Sequence, residues 1–404
     1  MKTWLWAVFT ICSLGHPLFG EELAQDWKQW RGPHRNGTVE ASFRFTAQSR
    51  IETVWEANVG TGFSSPVVSA KQLVAMGNVD DYDIVTALDA QTGEKIWDFT
   101  YESPLDPNLF EGGPTSTPAI SGEKVVCLGR QGLVHCLSLK TGELLWKYDI
   151  VKSLGYNIPT WGFAGSPLLL DGHVFLNAGS HGICLNLKDG ELVWASSNDE
   201  EAGYSSPLQL LGEQSNKLLL MNAKSLNAVD AKDGDLLWSQ RWITRYGINA
   251  ADPLLVSDDS VLVSSGYGKG TGLVQFTSGE AELLWRTRAV RTQMSPGVLV
   301  KKAVYAIDGD EGDSPQLVCF SPMTGDVFWS QEEFGTGTLI AANDQILVLD
   351  GLGELTVFEA NTKEFQPILN KKLTSGKCWT PVVLVGNRIY SRNAAGTVVC
   401  SVVQ

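Results

Sequence analysis

Nowhere in these 404 residues do two cysteines stand side by side, and neither a C-x-x-C-H nor a G-x-S-x-G occurs. The first absence leaves no vicinal disulfide and the second no haem attachment. The third leaves no serine-hydrolase elbow, and no glycine-rich phosphate loop is present either. Histidine is scarce at five residues, and His34, His135, His173 and His181 lack zinc-ligand spacing. Basic residues are also short, 31 Lys and Arg against 45 Asp and Glu, for a formal charge of −14. Nucleic acids and anionic membranes are recognised by basic faces, so this balance argues against both as partners. After residue 20 no apolar run approaches the ~20 residues of a membrane-spanning helix.

The first residues stand apart from the rest. Lys2, the apolar "WLWAVFTICSL" and the breaker "GHPLFG" read as a secretory signal over 1–20, cut near Gly20. Cys12 follows Ile11 rather than a small residue, so no lipid anchor is expected. The mature chain is expected to be periplasmic or secreted. Export permits disulfides. However, Cys136, Cys184, Cys319 and Cys400 fall at one equivalent place in successive repeats, where bridging distance is exceeded. They read as small buried apolar residues. Cys127 and Cys378 have no evident partner.

What is present is a repeat. "ALDAQTGEKIW" at 87–97 returns as "CLSLKTGELLW" at 136–146, "CLNLKDGELVW" at 184–194 and "AVDAKDGDLLW" at 228–238. Trp55, Trp97, Trp146, Trp194, Trp238, Trp285 and Trp329 are separated by 42, 49, 48, 44, 47 and 44 residues. A second marker runs in phase, a Ser-Pro, Thr-Pro or Asp-Pro pair at 65, 117, 166, 206, 252, 295 and 380. An eighth unit near 338 keeps the strand pattern but has lost the proline, the turn glycine and the tryptophan. Four short strands per 40–50-residue unit predict an all-β, eight-bladed β-propeller of four-stranded antiparallel blades over 50–404. Within each turn Asp89 and its equivalents can accept backbone N–H groups, and Gly93 and its equivalents can take positive φ. The last unit ends at Gln404 before a fourth strand, so "IETVWEANVG" at 51–60 is expected to complete that blade and latch the ring.

The pattern A-x-D-x-x-T-G-x-x-x-W resembles the tryptophan-docking repeat of the PQQ-like propellers, and the resemblance covers about residues 50–404. That superfamily includes the quinoprotein alcohol dehydrogenases and BamB, a lipoprotein of outer-membrane barrel assembly. The segments "WKQWRGPHRNGT", "GTGFSSPVV" and "PTWGFAGSPLL" are similar to exported PQQ-like members abundant in planctomycete-type bacteria. The resemblance implies one of two functions. One is a non-catalytic binding or scaffolding module, without cofactor, in cell-envelope protein assembly. The other is a dehydrogenase dependent on PQQ and calcium, with the cofactor over a tryptophan and an aspartate as base. The adjacent cysteine pair typical of those alcohol dehydrogenases is missing.

In a propeller, the links leading into each first strand share one face with the hairpins between second and third strands. Their residues should line the mouth of the axial channel. Phe63, Trp161, Phe163, Tyr204, Tyr246 and Trp379 would supply flat faces there, and Arg245, Arg291, Asn249 and Asp252 polar groups. Asp252 holds the slot that is Ser or Thr in the other proline-marked blades. It could cap its own strand, pair with an arginine, or, near Arg245 or Arg291, orient a ligand or act as a base. Under the enzyme reading Asp252 is the base, Asn249 a metal ligand and Trp161 the stacking floor. The acidic stretches at 79–83 and 307–314 read as solvated hairpins on the channel face. The leading segment 21–49 is expected to pack on the ring through Trp27 and Trp30, along its wall or across one face. The expected partner is a protein or peptide segment in the envelope, or a small molecule at the axial mouth.

Overall fold

The structure, a computed structural model, describes residues 26–108, 110–309 and 314–404. The secretory signal expected at 1–20 and residues 310–313 of the acidic stretch 307–314 lie outside those residues.

Eight blades of four antiparallel strands surround one axis, as the repeat count predicts, and blade 7 gains a short fifth, parallel strand from the N-terminal segment. Blade 1 shows the pattern, with strands Val67–Ser69, Gln72–Val79, Tyr82–Asp89 and Lys95–Glu102 in order from the axis outward. The inner strand is buried on both faces. The outer strand is exposed or half-exposed except at Trp97, which is why it reads as polar with one aromatic anchor. Blade 8 is completed by Ile51–Asn58, which pairs with Thr397–Val403 and latches the ring as expected.

A register shift beside each tryptophan turns the indole toward the next blade. Trp97 then lies against the turn of blade 2, where a Cβ on Gly142 would come within 2.5 Å of its ring. Indole Nε1 groups donate across five seams: Trp55 to Ala90 O, Trp97 to Leu139 O, Trp146 to Leu187 O, Trp194 to Ala231 O and Trp329 to Asn361 O, at 2.8–3.2 Å. Burying such an indole contributes about 4–6 kcal/mol gross at ~25 cal/mol/Å². Cys136, Cys184, Cys319 and Cys400 stand directly opposite these indoles in the register. All are free and buried, and burial raises their thiol pKa values, so they are inert packing residues.

The N-terminal segment does not lie on the outside of the ring; it threads the axis. Asp26 accepts from Ala70 N and Ser69 Oγ at the turn-bearing face, and Trp27 pairs with Val68 of blade 1. The chain rises to Trp30, folds back through "RGPHRNG", and descends as Thr38–Val39. This short strand runs parallel to Thr338–Ala342 of blade 7. Trp27 is 1% exposed, Arg31 4% and Arg35 7%, so the ring has a filled centre. Gly32 and Gly37 permit the fold-back, at φ of 81° and 78°, where Cβ atoms would press on Trp27 and Val298.

Candidate functional site

At the level of the proline markers, neighbouring blades are joined by a run of hydrogen bonds. Ser65 N donates to Thr117 Oγ1, Thr117 N to Ser166 Oγ, Ser166 N to Ser206 Oγ, and Ser206 N to Asp252 Oδ1, at 2.6–3.0 Å. Asp252 continues the girdle that the hydroxyls begin. Its second oxygen accepts from Trp30 Nε1 of the central segment at 2.5 Å. Arg31 and Arg35 supply the cationic field around it. Arg31 donates to Gly297 O at 2.6 Å and to Asn36 O at 2.7 Å. Arg35 donates to Pro167 O at 3.0 Å and to Pro207 O at 3.1 Å. Burial brings both guanidinium pKa values down to about 10, against which Asp252 acts, so both stay charged at neutral pH. The arginines expected beside Asp252 lie elsewhere: Arg245 rests over the Tyr246 ring at 5.2 Å, and Arg291 pairs with Asp308 at 3.4 Å.

Above this floor the mouth is ringed by aromatic groups in three sectors. Phe63 stacks on Trp379 at 5.0 Å and meets Phe110 at 5.8 Å. Trp379 Nε1 donates to Thr336 Oγ1 at 2.6 Å, and Lys377 lies 4.4 Å over its ring while pairing with Glu111. In the second sector Trp161 meets Tyr204 edge-on at 5.8 Å, and its Nε1 donates to Asn108 O at 3.1 Å. Burial pushes the Tyr204 hydroxyl up to about 12. Arg130 ties these two sectors, lying 5.2 Å over Phe110 and donating to Trp161 O and Asp106 O. The third sector is Tyr246, 59% exposed, edge-on to Tyr267 at 5.3 Å.

Two of the expected rim residues are not on the rim. Phe163 is 2% exposed and packs in the core of blades 2 and 3 under Gly132. Asn249 is fully buried; its amide donates to Asn222 O, Ala223 O and Trp242 O and accepts from Ser265 Oγ. Phe110, Arg130 and Tyr267 belong to the rim and were missed. Arg130 and Tyr267 sit in second-to-third hairpins, which the topology already assigns to this face. Phe110 lies in the long link from blade 1 to blade 2.

The acidic hairpin at 79–83 is not uniformly solvated. Asp81 caps Leu105 N, and Asp83 is 1% exposed and accepts from Asn78 Nδ2 at 2.9 Å. Among the described residues no three His, Cys, Asp or Glu side chains converge on a possible metal position. Asp252 and Asn249, the base and ligand expected of a PQQ- and calcium-dependent site, are both engaged in holding the ring and do not fit those two roles. What the mouth offers is a rim of aromatic faces and paired charges over a closed floor, an arrangement suited to binding.

The profile of a family described as outer membrane protein assembly factor BamB matches residues 80–331, well over half of the chain. The outer membrane protein assembly factor BamB of Yersinia pestis is 22% identical over 369 residues, which covers 85% of this chain and 87% of that protein. The crystal structure of BamB from Moraxella catarrhalis superposes with a TM-score of 0.62 at 18% identity, covering 87% of this chain and 97% of that one. Quinohemoprotein alcohol dehydrogenase from Comamonas testosteroni superposes with a TM-score of 0.69 at 14% identity, covering 94% and 80%. At these identities the structural likenesses speak for the propeller fold alone.

Proposed function

This chain belongs to the family described as outer membrane protein assembly factor BamB, and on that footing we propose that it is an exported, non-catalytic scaffold in the assembly of cell-envelope proteins. It works without a cofactor, in the periplasm or after secretion. It binds a protein or peptide segment at the aromatic rim or along an outer blade edge. The observation that carries this reading is the filled axis. The central segment donates to Asp252 and pins seven blades from within, so the functional surface is the rim and the outside of the ring.

The dehydrogenase reading rests on the fold shared with the quinohemoprotein enzyme. Titrating the mature protein with pyrroloquinoline quinone, with and without Ca²⁺, separates the two by absorbance and tryptophan fluorescence. The expected result is no saturable binding at micromolar cofactor. Calcium-dependent, saturable quenching would restore the enzyme reading and displace the scaffold.

A further inference from the structure

The molecule as a whole is acidic, yet blades 4 and 5 carry a patch of uncompensated positive charge. Arg241 ends the outer strand Leu236–Arg241 of blade 4 and is exposed. Arg286 and Arg288 lie at the end of the outer strand Ala281–Thr287 of blade 5 and just beyond it, and both are exposed. Lys269 sits in the hairpin before Gly270–Phe276, and its ammonium lies 4.5 Å over the ring of Trp242, the residue after Arg241. The register brings these groups together. Gly272 is paired with Arg286 and Thr271 with Thr287, and a Cβ on Gly272 would lie 3.1 Å from the Trp242 ring.

Among the described residues none of the four cations takes part in an ion pair. The Lys269 pKa is lowered, first by burial and then by the charges of Arg286, Arg241 and Arg288. The carboxylates nearest in the chain lie away from the patch: Asp235 stands just before the blade 4 strand Leu236–Arg241, and Glu280 and Glu282 lie toward the other end of the blade 5 strand. Grouped like charges oppose folding, so beyond the contact of Lys269 with Trp242 this patch adds nothing to the ring itself. The outer strand of blade 5 is also the open edge of its sheet, with no strand paired beyond it.

We propose that this basic edge of blades 4 and 5 binds an acidic, extended segment of a protein partner, laid along the outer strand of blade 5. Side chains on one face of an extended chain recur every second residue, about 6.8 Å apart, which matches the i, i+2 spacing of Arg286 and Arg288. Arginine pairs bidentately with carboxylates, and an open edge offers backbone hydrogen bonds to an added strand. The proposal rests on the scaffold reading and gives it a partner chemistry.

The test is fluorescence anisotropy of the mature protein with a labelled peptide of alternating Glu and Thr, beside a Gln-Thr control. Binding of the acidic peptide is expected at low ionic strength, weakening severalfold at physiological salt as its charges are screened. The double variant R286E/R288E should weaken it by about tenfold or more, while K147E on the outer strand of blade 2 should leave it unchanged. Circular dichroism checks that both variants stay folded. Equal binding of both peptides, equal loss in both variants, or no binding by the wild type would overturn the proposal. So would a preference for phosphatidylglycerol vesicles over the acidic peptide. None of these outcomes touches the wider scaffold reading, because the aromatic rim does not involve Arg286 or Arg288.

Discussion

Asp252 shows how far a single residue could be read. Its oddity was legible, since it breaks a Ser/Thr rule kept in the other proline-marked blades. Its partner was not, because Trp30 stands 222 positions away in the chain and outside the repeat. A carboxylate has a second oxygen where a hydroxyl has none, and that oxygen is what receives the central segment. His135 is the opposite case, unremarkable in sequence and distinctive in the fold. It is 4% exposed, its ring lies 4.4 Å from that of Tyr101, and Nδ1 has no hydrogen-bond partner. Burial, aided by the charge of Lys147, lowers its pKa from 6.5 to about 4. Between those values the unfolded chain binds a proton that the folded chain refuses. The stability this neutral imidazole permits is therefore intact above pH 6.5 and is lost as pH falls toward 4. The loss approaches about 3 kcal/mol at ~1.4 kcal/mol per unit. Asp83, whose pKa burial raises, works in the other direction, so the variant His135→Phe is needed to isolate the effect. Thermal unfolding at pH 7 and pH 5 should show the variant losing less stability on acidification than the wild type. An equal loss in both would mean that His135 is not the group responsible.

At the scale of elements, the blades were legible because their period is written into the sequence, down to the strand at 51–60 that completes blade 8. The central segment was not. It has no periodicity, and its hydrogen bonds go to backbone carbonyls of four different blades, a destination no local pattern encodes. What could have pointed inward is the pair of arginines between two glycines in "RGPHRNG". An exposed strap has little use for such glycines, whereas a tight fold-back in a narrow channel needs them. Phe163 was misplaced for a related reason. It lies in the same link as Trp161, but Phe163 N bonds Arg130 O, and that turns its ring under Gly132. The segment also carries a prediction. Trp30→Phe keeps most of the buried surface but removes the donor to Asp252, which should cost about 1–3 kcal/mol. Trp27→Ala empties the base of the channel and should cost about 3–5 kcal/mol. Urea denaturation of the two variants should reproduce that order. A negligible effect of Trp27→Ala would show that the ring does not depend on its plug.

For the whole molecule, the question is where a closed ring of eight near-equal blades is weakest. The indole hydrogen bonds and the girdle bonds are not evenly shared around it. The seams of blades 1 to 4 carry both, at 2.9–3.0 Å. The seam of blades 8 and 1 has Trp55, and Arg392 adds further donations to Met76 O and Gly60 O. Between blades 4 and 5 the girdle survives through Asp252, but Trp238 Nε1 is buried without a partner, because the turn of blade 5 carries two extra residues and Gly279 meets nothing. Between blades 5 and 6 no girdle bond forms among the described residues, and Trp285 Nε1 is buried and unpartnered as well. Each such orphaned donor costs about 1–3 kcal/mol relative to a satisfied one. Among the described residues the seam of blades 7 and 8 lacks both kinds of bond but carries no orphaned indole, is tied by Trp379 Nε1 to Thr336 Oγ1 and packs in a cluster shared with blade 1. Local opening follows the distribution of deficits, so it is expected beside the orphaned indoles of blades 4 to 6. Hydrogen exchange followed by mass spectrometry should find the strands Gly270–Phe276, Ala281–Thr287 and Ala303–Asp308 losing protection before Leu133–Ser138 and Ile183–Asn186. Uniform protection around the ring would mean that packing, rather than these hydrogen bonds, sets the strength of each seam. The basic edge lies on this same side of the ring. If the seam of blades 5 and 6 is the mobile one, an acidic segment bound along blade 5 should slow exchange there first, coupling partner capture to closure of the weakest joint.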